Sequence, residues 1–451
     1  MKSRSYLLVL IYFTLMAAYD VTASDIAESA HKKWPFLDNY AIRSLALAPS
    51  LDKEAIDKLE LDAQRDRLRS SRPYVYLAKS LKQRMDWQFS DAEKSAKECM
   101  RMAMGKNDSA LALCGWLNMN LAEISQNYAD FAKAAEDAEP GNRQFMKMAK
   151  LSSEDINSDS SLFFLRNAST YDEYKNKSQP IRLFSSRKTS EIAIRLNFHR
   201  EPMIRMIING HAVDFLLDTG AGESLVPPML ARHLGLDVSD VEEDVTDALG
   251  RKVMGKRAWV SDITLGSISI KGYSVLVAGS DDDPPIIGLD FLENIGRFLI
   301  RHDALIINPV LSKVCINKMF VTSAMVPDML GVAFKVNANS KEVYASLDTG
   351  ATAIGPVMST WEHRSRLGFV DGPTVFNVQY VKSVSGVGAA YYALFHVKVD
   401  TDSGKISWPL RIYANKEFIS TDLIFGMDST NWTSYYFDFN KHVACMLPVA
   451  R

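Results

Sequence analysis

Residues 212–221 read Ala-Val-Asp-Phe-Leu-Leu-Asp-Thr-Gly-Ala, and residues 343–351 read Val-Tyr-Ala-Ser-Leu-Asp-Thr-Gly-Ala. Each stretch is a strand-like run that ends on a carboxylate, followed by a glycine where the backbone can turn tightly. Working outward, residues 203–208 form a strand candidate and Asn209-Gly210 is a two-residue hairpin signal, so residues 212–217 read as the returning strand that delivers Asp218. Residues 332–336 and 343–347, joined by a short polar turn, deliver Asp348 in the same way.

The repetition extends beyond the two loops. After each Asp-Thr-Gly comes a proline-containing stretch ending in Leu-Gly-apolar, at Leu234-Gly235-Leu236 and at Leu367-Gly368-Phe369. Ile286-Ile287-Gly288-Leu289-Asp290 returns as Leu423-Ile424-Phe425-Gly426-Met427-Asp428. The Asp-Thr-Gly copies lie 130 residues apart (218 to 348) and the later glycines 138 (288 to 426). Elements recurring in one order indicate duplication of a β-rich unit of ordinary domain size.

Each half resembles a retropepsin lobe, the fold of retroviral proteases, and the tandem pair resembles the bilobal pepsin arrangement. The resemblance covers about residues 190 to 451. It implies an aspartic peptidase, with Asp218 and Asp348 as the catalytic dyad. Amide hydrolysis of this kind needs two carboxylates facing one water; like charges about 3 Å apart share a proton. One carboxylate takes a proton from the water while its protonated partner polarises the scissile carbonyl. In the family, Thr219 and Thr349 would lock the loops across the two-fold axis, Gly220 and Gly350 would bring backbone amides to the carboxylates, and Gly288 and Gly426 would lie where strands cross behind each loop. Ala221 and Ala351 stand where pepsin-like enzymes carry Ser. Retroviral-type enzymes share this Ala, which implies activity at milder pH than pepsin. The copies diverge next, Gly222-Glu223-Ser224 against Thr352-Ala353-Ile354, so an asymmetric site is expected. Covering hairpins are expected at residues 249–254, with Gly250 at the tip, and at residues 384–389, with Gly386 and Gly388; Tyr391 and Tyr392 lie near the second.

The remainder of the 451 residues reads differently. Lys2 and Arg4 precede an uncharged run over residues 6–18, and Val21-Thr22-Ala23 offers small residues for cleavage, the layout of a secretory signal over residues 1–23. Export to a periplasmic or extracellular space is expected, with no stable membrane insertion after cleavage. Residues 24–150 are rich in Ala, Leu, Met, Lys and Glu, with apolar residues at helical spacing (Phe89, Ala92, Ala96, Cys99), and are expected to form a helical bundle or helical repeats. Residues 151–190 turn to Ser, Asn, Asp and Lys and read as a linker, with a short helix at 161–166. The lobes are then 191–322 and 323–451. The fold class expected is an all-α region followed by an all-β bilobal acid-protease-like double barrel. Four cysteines in an exported chain permit two disulfides; Cys99 with Cys114 and Cys315 with Cys445 would keep each within one region, and four buried thiols are the alternative.

Composition removes other classes. A formal charge of −2 offers nothing to neutralise a phosphate backbone, so no nucleic-acid partner is expected. The eight histidines are scattered without a His-Glu-x-x-His pattern, Asp281-Asp282-Asp283 reads as a solvated loop, and no metal or other cofactor is expected. No Gly-x-Ser-x-Gly surrounds a serine. The function expected is an exported single-chain aspartic endopeptidase acting on polypeptide as a monomer. The alternatives are a non-catalytic protein- or peptide-binding module on the same scaffold, and a role for residues 24–190 as an inhibitory propeptide.

Overall fold

The computed structural model describes residues 37–48, 50–153, 164–177, 180–184, 189–246, 252–312, 314–323, 330–352, 355–369, 376–383, 386–401, 404–414 and 421–448. The expected signal segment lies outside them, as do residues 161–163 of the expected short helix. The chain divides into two compact units: residues 1–179 with 241–244 and 321–329, and the remainder.

The first unit is helical. Its helices are α1 (Asn39–Leu47), α2 (Lys53–Arg65), α3 (Arg72–Met85), α4 (Phe89–Ala103), α5 (Asp108–Ile124) and α6 (Tyr128–Ala149). Their starts are encoded locally: the side chains of Asp38, Asp52, Asn107 and Asn127 accept backbone N–H groups of the first turns of α1, α2, α5 and α6, while Pro73 opens α3. Asp38 also accepts from Tyr74 Oη (2.7 Å) and Asn107 Nδ2 (3.0 Å), tying the starts of three helices together. Each helix packs on the next, with α5 buried along nearly its whole length. Gly115 and Gly141 make the closest approach. A Cβ on Gly141 would lie 2.6 Å from the Ala112 nitrogen, and one on Gly115 would lie 2.5 Å from Ala138 Cβ. Small residues here let α5 and α6 touch backbone to backbone.

Within the stretch read as a linker, Ala168–Asn176 is a 3-10 helix whose Tyr171 and Tyr174 are buried edge-on against Phe131 and Tyr128 of α6. Farther along, Ile181–Phe184 is a strand pairing with Ile268–Val277. Polar composition hid both elements, because two tyrosines suffice to anchor nine residues. The same unit takes in two pieces of later sequence. Tyr174 Oη donates to Glu243 Oε1 (2.7 Å), and the buried Arg84 donates to Asn120 Oδ1, Ala48 O and Ser323 O.

The second unit is all-β, as the alternation of short β-branched runs and Gly-Asn turns requires. One lobe is a nine-stranded sheet over residues 181–287, the other an eight-stranded sheet over residues 319–426. A five-stranded sheet joins them: Ser190–Ala193, Ala304–Ile307 and Arg297–Ile300 come from the first lobe, and Thr433–Asp438 and Val443–Pro448 from the second. The seam is Arg297–Ile300 against Thr433–Asp438, where Phe298 stacks on Phe437. Cys315 and Cys445 are bridged here, and Cys99 and Cys114 are bridged between α4 and α5, so both expected pairings occur and none of the four thiols is free.

Candidate active site

Each Asp-Thr-Gly loop is held by the same local device. The strand His211–Leu217 runs into Asp218, and Ile286–Ile287 lies parallel beside it while also pairing antiparallel with Leu225. In the second lobe Leu423–Gly426 lies parallel beside Lys341–Asp348 and antiparallel beside Val357–Thr360. One strand is thus inserted between the two legs of each loop, so the carboxylate is presented from a rigid crossing.

The two loops meet across a two-fold relation. Thr219 Oγ1 accepts from the Thr349 N–H (3.1 Å) and donates to Leu347 O (2.8 Å), while Thr349 Oγ1 accepts from the Thr219 N–H (3.0 Å) and donates to Leu217 O (2.6 Å). Both threonines are fully enclosed. The glycines keep the carboxylates facing one another: a Cβ on Gly220 would fall 2.3 Å from Asp348 Cγ, and one on Gly350 would fall 2.4 Å from Asp218 Cγ. No residue but glycine fits either place. Asp218 Oδ1 accepts from the N–H groups of Gly220 (2.9 Å) and Ala221 (3.2 Å), and Asp348 Oδ1 accepts from Ala351 (2.9 Å).

Each carboxyl group thus lies against the glycine of the opposite loop, and the two interact with one another. Loss of solvent pushes the Asp348 carboxyl well above its ordinary value, and the neighbouring Asp218 charge pushes it further. Asp218 is raised as well, again first by loss of solvent, against the opposing pull of its amide donors. Both side chains keep part of their surface open, so the site is shielded rather than sealed.

Residues 204–294, the greater part of the first lobe, match the family model of the gag-polyprotein putative aspartyl protease. Over those residues, which carry the first Asp-Thr-Gly loop, the chain is similar to a retropepsin-like aspartic peptidase. No curated protein matches the chain. Among solved structures, a retropepsin-like aspartic protease from Rickettsia conorii is 25% identical over 26% of this chain and 91% of its own, with a TM-score of 0.22. Among the described residues no group of His, Cys, Asp and Glu is arranged to hold a metal ion, and no helix is long and apolar enough to cross a membrane.

Behind the loops the two lobes differ. In the first, the backbone carbonyls of Ala221 and Glu223 lie 2.8 and 2.7 Å from where a Cβ on Gly288 would stand. Ser224 Oγ accepts from the Gly288 N–H (3.1 Å) and donates to the buried Asp290 (2.8 Å), with Tyr273 Oη 3.0 Å away. Burial raises the Asp290 carboxyl, opposed by donors from Tyr273, Ser224 and the Phe291 N–H. In the second lobe Gly426 pairs with Asp348, and Asp428, the counterpart of Asp290, is partly exposed beside Arg200. The Ser224–Tyr273–Asp290 cluster escapes motif reading, although Asp290 as a lone charge inside Ile-Ile-Gly-Leu-Asp-Phe-Leu is the pattern of a buried, fully bonded carboxylate.

Of the expected covering hairpins, residues 249–251 lie outside the described residues, and Asp237–Thr246 and Lys252–Leu265 are neighbouring strands of one sheet on either side. In the second lobe Asn377–Ser383 pairs with Gly386–Thr401, Ser383 opposite Gly386. Its connecting residues 384–385 lie outside the described set. Tyr391 is half-exposed on the outer face; Tyr392 packs with Ala390 and Tyr413 against Met358 and Ala351, beside the Asp348 loop.

Proposed function

We propose that the chain is an exported single-chain aspartic endopeptidase in which Asp218 and Asp348 activate one water for attack on a peptide bond. One observation above all supports this reading: two carboxyl groups each set against the glycine of the other's loop, where two related loops are locked together by reciprocal threonine hydrogen bonds. A binding module would not need carboxyls so close, because packing them costs electrostatic energy unless a proton is shared. In the proposed cycle the ionised member takes a proton from water while the protonated member donates a hydrogen bond to the scissile carbonyl oxygen. The tetrahedral intermediate collapses as the departing nitrogen takes up the proton the dyad accepted. Both halves of the dyad lie in one chain, so a monomer suffices. Absence of the pepsin-type hydroxyl at Ala221 and Ala351 favours the singly protonated pair at milder pH. Two disulfides accord with an oxidising compartment.

The test is cleavage of a denatured protein by the purified chain, and by Asp218→Asn and Asp348→Asn. Each substitution is expected to abolish cleavage while leaving the fold intact. Cleavage surviving either change would end the proposal.

A further inference from the structure

The strand pairings align the two lobes residue by residue. In the first, Leu217 pairs with Ile287, Ile286 with Leu225, and Leu225 with Leu276. In the second, Leu347 pairs with Phe425, Ile424 with Met358, and Met358 with Arg411. Leu276 and Arg411 therefore occupy the same place. The hairpin strand alongside sets Arg257 opposite Leu276 in the first lobe, and Leu394 opposite Arg411 in the second. One arginine and one leucine thus occupy the same cross-strand pair in both lobes, in exchanged order.

The exchange changes what each arginine can reach. Arg411, on the wall strand, donates to Gln379 Oε1 (2.6 Å) of the outer hairpin strand and lies 4.8 Å from the centre of the Tyr392 ring. Its guanidinium also lies against Gly355, seven residues beyond Asp348, with the place of a Cβ on that glycine 3.5 Å from Arg411 Nε. Arg257, on the hairpin strand itself, donates to Glu223 Oε1 (2.7 Å), with side-chain exposures of only 2% and 10%. Glu223 is five residues beyond Asp218, on the loop whose backbone lies against Gly288. The first hairpin is therefore tied by a buried ion pair to the loop that carries Asp218, whereas in the second lobe the arginine reaches the Asp348 loop, at Gly355, from the wall strand.

We propose that Arg257 is a positioning residue: its ion pair with Glu223 fixes the strand Lys252–Leu265 against the loop that carries Asp218 and so holds Asp218 in alignment. The proposal rests on the peptidase reading for its kinetic consequence, but not for its structural one. A buried ion pair contributes direction more reliably than stability: two apolar groups of similar size often fold as well, whereas one charge left alone does not.

That asymmetry supplies the test. Arg257→Met alone removes the buried cation that faces Glu223 and is expected to lower the yield of folded protein. The paired variant Arg257→Met with Glu223→Leu removes both charges and is expected to recover the wild-type thermal midpoint. In the full chain it should still lose amide-exchange protection across 252–265, and its kcat, normalised to folded protein, should fall by about tenfold to a hundredfold. Recovery of exchange protection and kcat together with the midpoint would make the pair merely structural and overturn the proposal. Exchange is read without substrate, so the two readings fail separately. A wild type that cleaves nothing removes the peptidase reading while exchange still decides the clamp. An active wild type with an unaltered paired variant removes the clamp alone.

Discussion

Replacing Thr219 by valine keeps the side-chain shape and removes one oxygen, and the structure says what that oxygen does. Thr219 Oγ1 is the acceptor for the Thr349 N–H (3.1 Å) and the donor to Leu347 O (2.8 Å), in a place where Thr219 is 3% and Thr349 0% exposed. Water cannot take over either bond. Each stranded backbone group costs about 1–3 kcal/mol, so the substitution should destabilise the β unit by about 2–6 kcal/mol with no cavity term. Thr349→Val strands Leu217 O and the Thr219 N–H in the same manner and should cost nearly the same. The assay is urea unfolding of the full chain followed by peptide-resolved hydrogen exchange, because a chain of two units need not unfold in one step. Protection should fall first at 216–220 and 346–350 and spread to the seam strands Arg297–Ile300 and Thr433–Asp438. A loss below about 0.5 kcal/mol in either variant, the level of an ordinary surface substitution, would refute the claim that these bonds join the lobes. A large difference between the two variants would refute the two-fold equivalence.

Three further outcomes follow from the same structure. Loss of solvent and the Asp218 charge raise the Asp348 carboxyl above its ordinary value, so its contribution to stability is complete below pH ~4 and is lost as pH rises through the elevated folded value; Asp348→Asn, always neutral, should flatten that decline in a pH series of thermal midpoints, and an unchanged slope would count against the shift. Gly141→Ala should gain up to about 1 kcal/mol of helix propensity but lose about 1–3 kcal/mol to the clash with Ala112, giving net loss of the helical unit in far-UV thermal melts, and a rise in midpoint would contradict the close approach. Removing the Cys315–Cys445 bridge, which spans 130 residues, should cost about 4–5 kcal/mol in the chain-entropy account against about 3 for Cys99–Cys114, which spans 15; comparing Cys445→Ala with Cys114→Ala by denaturant midpoint would expose a reversed order.

Some of this was legible because it is local. Apolar residues at helical spacing mark the first region, Asn209-Gly210 turns a hairpin, and the paired Asp-Thr-Gly-Ala loops with their following apolar-apolar-Gly announce a duplicated site. Other parts were not legible because they depend on partners far along the chain. Tyr171 and Tyr174 look like residues of a polar linker until α6 and Glu243 surround them. Arg257 sits in a basic run with Lys252 and Lys256 that reads as a solvated face, yet it is buried against Glu223.

By itself, then, the sequence determined that two equivalent carboxylate loops exist, which residues flank them, and that helical and β-rich regions follow one another, because periodicity, turn chemistry and repetition are short-range properties. Only the tertiary structure decided that the two loops meet across a threonine lock, that Gly220 and Gly350 each face the opposite carboxylate, and that an arginine and a leucine trade places between lobes. Those facts depend on strand register across residues 130 positions apart, and a register is settled by the packing of whole sheets rather than by any stretch of chain.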